Sequence, residues 1–120
     1  MIFTYYLDKI ENTIDIDIDD IMILYPMLNG HTTAVMFKKD GIEYSYIMLN
    51  KFETIPLNNN FLCIYKAMKT HINIGLITID MLYRRKKFNE EVTMFKFKNI
   101  EYVIDEYSII ISRSATDYLS

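Results

Sequence analysis

Residues 33–49 read TAVMFKKDGIEYSYIML, and they carry the clearest local structural signal in the chain. Two runs that alternate apolar and polar side chains flank Asp40-Gly41, the pair typical of a type I′ turn, in which both central residues need positive φ. A two-residue turn at this point places Phe37 opposite Tyr44 and Val35 opposite Tyr46. The stretch therefore predicts a β-hairpin over 33–49, with an inward face made of Val35, Phe37, Tyr44, Tyr46 and Met48.

Length and composition favour a single globular domain over residues 1–120. The chain is 51% hydrophobic and 24% charged, which is far from the composition of a disordered protein. It has one cysteine, no signal-like start, and no apolar run near the ~20 residues that a membrane span needs. We therefore expect a cytoplasmic protein without a membrane partner.

The middle of the chain favours two helices. In residues 61–71, Phe61, Tyr65 and Met68 recur at helical spacing after asparagines that are suited to N-caps. In residues 72–89 the signals conflict, because four isoleucines favour a strand whereas Asn73 as a cap, the spacing of apolar residues and a basic end favour a helix. We predict a helix in both segments.

The two ends of the chain favour strands. From residue 91 onward, three short β-branched or aromatic runs predict two or three strands of a C-terminal meander. Residues 3–10 fit a strand or a short helix, and residues 14–18 alternate like a strand, although Asp19 or Asp20 would also suit the cap of a helix over 21–27. The predicted fold class is α+β, with a mainly antiparallel sheet and two central helices.

No motif for catalysis, phosphate binding or metal binding is found in the sequence. In a helix, Cys63 and His71 would lie ~12 Å apart along the axis, too far for proton transfer, and His31 has no second ligand type nearby. The three glycines are too scattered to form a phosphate-binding loop. We therefore expect a protein that is not an enzyme and has no metal or cofactor.

The charges are unevenly distributed along the chain. Residues 1–30 contain six acidic residues and one lysine, for a net charge of −5, whereas residues 66–87 contain six basic residues and one aspartate, for a net charge of +5. The basic run Arg84 to Lys87 would suit a helix end, with Asn89 following as a natural cap. The overall pI near 5.3 opposes a dedicated nucleic-acid binder.

The acidic half centres on TIDIDIDD, residues 13–20, where isoleucines alternate with aspartates. Successive aspartates on one strand face lie ~6.6 Å apart, too far to share one metal ion. Such a row is typical of a solvated face or a protected sheet edge, but it also suits a basic partner, which is either the Arg84 to Lys87 run or another protein. On the second interpretation we expect partner contacts from Glu11, Asp15, Asp17, Asp19, Asp20 and Tyr25. Tyr5 and Tyr6, together with Tyr25, would add the aromatic anchors that interfaces favour.

In size, acidity and lack of motifs the chain is similar in character to bacterial immunity proteins, the small antitoxins of contact-dependent inhibition systems. That resemblance implies an inhibitor that binds a basic, nuclease-like toxin domain. A viral or phage protein that blocks a host factor fits the same features, and a small enzyme of unknown reaction is a further alternative.

Overall fold

Strands make up nearly all of the regular structure in this computed structural model, which describes residues 1–58, 60–67, 70–76, 82–97, 99–104 and 108–115. The strands pair into an antiparallel eight-stranded sheet, in the order β2-β1-β5-β4-β3-β11-β6-β7, and a three-stranded sheet, in the order β10-β9-β8. Their bounds are β1 Ile2–Leu7, β2 Ile10–Asp15, β3 Ile21–Met27, β4 Thr32–Lys39, β5 Ile42–Met48, β6 Phe61–Ala67, β7 Thr70–Leu76, β8 Leu82–Lys87, β9 Glu90–Phe97, β10 Ile100–Val103 and β11 Ser108–Ser112.

The predicted hairpin over 33–49 is confirmed as β4 and β5. Phe37 pairs with Tyr44 and Val35 with Tyr46, while Asp40 and Gly41 adopt the positive φ values of 53° and 79° that the turn needs. The predicted inward face also holds, since Val35, Phe37 and Met48 are fully buried and both tyrosines pack against the core.

The prediction of two central helices is wrong, and the α+β class with it. Residues 61–67 and 70–76 are the paired strands β6 and β7, and the basic run belongs to β8. Phe61 and Tyr65 recur at helical spacing, but Phe61, Cys63 and Tyr65 also fit a two-residue period, and pairing of β6 with β11 decides between them. Within the described residues, the helical turns are isolated 3-10 turns, among them Ile18–Asp20, Leu28–Gly30 and Phe52–Thr54. Residues 77–81 of the second predicted helix lie outside the described residues.

Two further hairpins have two-residue turns that contain no glycine. Asp8 and Lys9 join β1 to β2 with φ values of 51° and 65°, and Phe88 and Asn89 join β8 to β9 with φ values of 50° and 64°. Asn89 therefore serves a type I′ turn rather than a helix end, because asparagine tolerates positive φ in both settings. The open choice between helix and strand at both 3–10 and 21–27 is settled in favour of strands.

The C-terminal meander is correct for two strands only. β9 and β10 pair directly, whereas β11 inserts between β3 and β6 of the larger sheet. β11 places Ile110 in the main core and Ile111 in a second, smaller cluster on the opposite face. A continuous apolar run of this kind is typical of an interior strand that is buried on both faces.

The main core lies between one face of the eight-stranded sheet and the smaller sheet. Phe95 and Ile104 from the smaller sheet region pack with residues of the larger sheet, and the segment 52–57 closes the cluster. We call the other side of the eight-stranded sheet the outer face. The fully buried members of the main core include Phe3, Leu24, Val35, Phe37, Met48, Phe52, Ile55, Phe95, Ile104 and Ile110.

The turn between β3 and β4 joins the two sheets. Gly30 approaches Thr93 of β9, and the His31 ring donates from Nε2 to the Glu91 carbonyl oxygen over 2.9 Å. Arg84 of β8 reaches Glu53 beneath the larger sheet over 3.6 Å and donates to Thr93 Oγ1 over 2.6 Å. Polar contacts therefore fasten the smaller sheet at the rim of the shared apolar core.

Candidate functional site

The acidic segment 13–20 is not one straight strand. β2 ends at Asp15, Ile16 turns into the core with 3% of its surface exposed, and a 3-10 turn follows. The Asp17 carboxylate caps that turn by accepting the backbone N–H of Asp19 over 3.0 Å. Ile16 still follows the alternation of β2, but the turn at Ile18–Asp20 redirects the chain, so the aspartates do not line a single strand face.

Asp15 is paired within the chain, and its partner is not the basic run. Its carboxylate accepts the ammonium group of Met1 over 2.9 Å, while 72% of its side-chain surface stays exposed. Met1 also exchanges backbone hydrogen bonds with Ile16, which extends the pairing of β1 and β2 by one step. This ion pair therefore secures the open end of the first hairpin, and at such exposure it contributes about 0–1 kcal/mol.

Arg84 and Arg85 of the basic run are paired with acids outside the segment 13–20. Arg84 lies 3.5 Å from Glu91 and 3.6 Å from Glu53, and Arg85 forms an ion pair with Glu101. Among the described residues, none of these ion pairs includes an aspartate of the segment 13–20. Among the described residues the run Arg84 to Lys87 is thus not paired with the acidic row, and the internal alternative is not what this part of the structure contains.

Three acidic side chains remain exposed without a cation. Within the part of the chain that the structure describes, the carboxylates of Glu11, Asp19 and Asp20 make no ion pair and no hydrogen bond. Asp20 lines an open cleft of about 700 Å³ together with Asp15, Asp17 and Lys39. We call Glu11, Asp15, Asp17, Asp19 and Asp20 the acidic end, in which Glu11 lies apart from the others, four residues or about 13 Å from Asp15 along β2.

Tyr25 and Glu11 lie on the outer face, in one row that crosses the sheet. Glu11 pairs with Tyr6, Ile47 pairs with Ala34, and Ala34 pairs with Tyr25. The antiparallel pairing of Tyr5 with Met48 makes Tyr6 and Ile47 neighbours between them. Four strand spacings separate Glu11 from Tyr25, a distance of about 19 Å, so the predicted contact residues form a broad surface and not a compact site.

Exposed apolar side chains complete this surface; Tyr6 is one of the expected aromatic anchors, whereas sequence reasoning missed Ile2 and Ile47. Ile2, Tyr6 and Ile47 expose 56%, 59% and 56% of their surface on the outer face. The predicted register of the 33–49 hairpin could have identified Ile47, because Ile47 follows the inward-facing Tyr46 and therefore lies on the opposite face. The outward orientation of Tyr6 and Ile2 could be predicted only by recognising the Asp8-Lys9 turn.

Other candidate residues do not assemble into a reactive group. The backbone of Cys63 lies opposite Gly75, and that of His71 lies opposite Lys66, so the two are offset by about 10 Å along the strands. This replaces the helix-based distance and leads to the same conclusion. Among the described residues, no three His, Cys, Asp or Glu side chains are grouped to hold a metal ion.

Tyr83 is the one described group with a distinct electrostatic environment. Its hydroxyl is buried without a hydrogen-bond partner among the described residues. Burial raises its pKa above the ordinary 10.0, and the nearby Glu101 carboxylate adds to that rise. It lies on β8, away from the acidic end, and bears on stability rather than on the surface described above.

No family model, curated protein or solved structure matches this chain. No helix among the described residues is long and apolar enough to cross a membrane.

Proposed function

We propose that this chain is a non-enzymatic binding protein that takes a basic protein partner on the acidic end and the adjoining outer face. The observation that carries the proposal is the set of exposed carboxylates of Glu11, Asp19 and Asp20, which make no ion pair among the described residues. Glu11 pairs with the exposed Tyr6 at the β2 edge, whereas Asp19 and Asp20 lie in the turn that leads into β3.

Each part of this surface has a separate role in binding. Complementary charge speeds the encounter of two proteins, by 10- to 1000-fold in strongly steered cases, and it rejects acidic partners. Tyr6, Tyr25 and Ile47 supply apolar contact area, and tyrosine is enriched among the residues that dominate interface energetics.

The resemblance to bacterial immunity proteins suggests what this binding does in the cell. We propose that the partner is a nuclease-like toxin domain, whose basic nucleic-acid surface complements the acidic end, and that neutralisation takes place in the cytoplasm. The acidic end would then compete with nucleic acid for the same cationic groups.

The test begins with affinity capture of the partner from the native host, followed by purification of that partner. Stopped-flow kinetics then compares the wild-type chain with Asp19→Lys and Asp20→Lys, neither of which removes a contact of the described structure. We expect each reversal to slow association roughly 3- to 10-fold at low salt, with little change in the dissociation rate.

Glu90→Lys is the matched control, because it makes the same change in net charge on the β8–β9 hairpin, away from the acidic end. An equal loss of association rate in the control would contradict a localised acidic interface. Co-expression with the captured partner tests the toxin role: wild type must restore growth, and the combined Asp19→Lys and Asp20→Lys variant must restore it less.

A further inference from the structure

Among the strands that the structure describes, β2 forms one edge of the eight-stranded sheet and pairs only with β1. Its register with β1 runs without a bulge from Ile2 opposite Asp15 to Leu7 opposite Ile10. It contains no proline and no lysine, the residues that most often protect an exposed edge. Glu11 and Asp15 place charge on this edge, which nevertheless offers a row of backbone donors and acceptors to another strand.

The hydrogen-bond pattern identifies which residues face the open edge. Ile16 donates its N–H to the Met1 carbonyl over 2.9 Å, and the Met1 ammonium donates to the Ile16 carbonyl over 3.0 Å. Bonded pairs alternate along an antiparallel ladder, so Asn12 and Ile14 are also bonded towards β1. The N–H and C=O groups of Glu11, Thr13 and Asp15 therefore point away from β1.

Contacts on the other side of β1 are consistent with this parity. The Thr4 carbonyl accepts from the Leu49 N–H over 2.8 Å, and the Thr4 N–H donates to Asn50 Oδ1 over 3.0 Å. Asn50 Nδ2 donates to the Ile2 carbonyl over 3.1 Å, so this side chain continues the ladder where β5 ends. Every second residue of β1 thus faces β5, and the alternation places the outward groups of β2 at Glu11, Thr13 and Asp15.

The side chains beside these outward groups specify the chemistry of an added strand. Glu11, Thr13 and Asp15 lie on the outer face, so basic residues at alternate positions of an incoming strand would sit opposite the two carboxylates. Apolar side chains flank them, since Ile10 and Leu7 are 65% and 51% exposed on the other face of the hairpin. The edge therefore suits a strand that alternates cationic and apolar residues.

A second copy of this chain is a poor occupant of the same edge. Antiparallel pairing of two β2 strands about Thr13 places Glu11 opposite Asp15 of the second copy, and Asp15 opposite its Glu11. Like charges directly opposite each other destabilise a strand pair. The charges that attract a basic strand thus also oppose self-association through this edge.

We infer that a basic extended segment of the partner adds to β2 as a ninth strand, bonding to the outward backbone groups of Glu11, Thr13 and Asp15. This inference rests on the proposed function, because it specifies how the basic partner is held. The main chain supplies the ladder, and alternate cationic side chains supply selectivity.

The test uses two synthetic peptides, acetyl-KVKVTVKVK-amide and its acidic counterpart acetyl-EVEVTVEVE-amide, titrated by NMR into the full chain. The variant Thr13→Pro removes one outward N–H without removing a bond to β1, and proline is tolerated on edge strands in that position. Thr13→Val is the matched control, because it keeps the N–H and the side-chain shape. We expect the basic peptide to bind wild type and Thr13→Val, to bind Thr13→Pro at least tenfold more weakly, and the acidic peptide not to bind.

Amide hydrogen exchange tests the same inference without a substitution. On addition of the basic peptide, exchange at Glu11, Thr13 and Asp15 must slow at least tenfold, while Asn12 and Ile14 are already protected in the free chain. This readout decides the matter if Thr13→Pro unfolds.

Three results would overturn the inference: equal binding by Thr13→Pro and Thr13→Val, no binding of the basic peptide at millimolar concentration, or a dimer that Thr13→Pro dissociates. None of them touches the proposed function, which stands or falls with the association rates of Asp19→Lys and Asp20→Lys.

Discussion

Replacing Gly30 with alanine would test how the two sheets are held together. Gly30 has a φ of +86°, and a Cβ at this position would lie 2.7 Å from Thr93 Oγ1 and 3.0 Å from Thr93 Cβ. Thr93 has no room to retreat, because it is fully buried and its Oγ1 accepts the Arg84 hydrogen bond. The left-handed backbone costs a residue with a Cβ about 1–2 kcal/mol, and loss of a charged hydrogen bond costs about 1.5–3 kcal/mol. We expect Gly30→Ala to lower the free energy of unfolding by about 2.5–5 kcal/mol, as measured by urea denaturation.

Gly41→Ala is the control that separates backbone strain from steric overlap. Gly41 has a similar φ of +79°, but a Cβ there meets no atom within 4 Å. Its substitution should cost only the backbone contribution of about 1–2 kcal/mol. If Gly30→Ala cost no more than Gly41→Ala, the close approach of the 28–30 turn to β9 would not be what fastens the smaller sheet, and the reasoning would be refuted.

Three other substitutions have expected outcomes that follow from single contacts. Tyr83→Phe removes a buried, unpartnered hydroxyl and should leave the free energy of unfolding unchanged or raise it by about 1–3 kcal/mol. Because the raised pKa keeps folded Tyr83 protonated after the unfolded residue ionises near 10.0, wild-type stability should fall as the pH rises above that value, and less steeply in the variant. Asn89→Val places a β-branched residue at a φ of +64° and should lower stability by about 1–2 kcal/mol in thermal unfolding, whereas Asn89→Gly should not. Asp17→Ala removes the cap of the 3-10 turn and should cost about 0.5–2 kcal/mol, in contrast to Asp19→Ala, which removes no side-chain contact of the described structure.

Local elements of this fold were predictable from the sequence where the residue pattern fitted only one type of secondary structure. The Asp40-Gly41 turn fixed its hairpin because both flanking strands alternate strictly and the pair strongly favours positive φ. The helix prediction for residues 61–76 was wrong because short apolar runs fit both a two-residue and a helical period. The decisive contact is the pairing of β6 with β11, which joins residues some 45 positions apart in the chain. The prediction that Asn89 caps a helix was wrong because the same left-handed conformation occurs at helix C-termini and in hairpin turns.

The acidic character of this surface was predictable from the sequence, but the positions of its residues relative to one another were not. Alternation through Ile18 suggested one continuous strand, and Ile16 is buried as that alternation requires, but a 3-10 turn capped by Asp17 begins at Ile18. Tyr25 follows the acidic segment closely in sequence, but β3 lies four strands from β2 in the sheet. Strand order is set by non-local pairing, so sequence proximity overstated how close these residues lie.

The central claim is that the partner docks on the acidic end and the adjoining outer face. The most direct measurement is an NMR titration of the labelled chain with the captured, purified partner, followed residue by residue at the backbone amides. The account predicts that the largest changes fall on residues 11–20 and on the outer-face positions Tyr6, Tyr25 and Ile47. A footprint centred on the basic β8–β9 hairpin, with residues 11–20 unchanged, would contradict it.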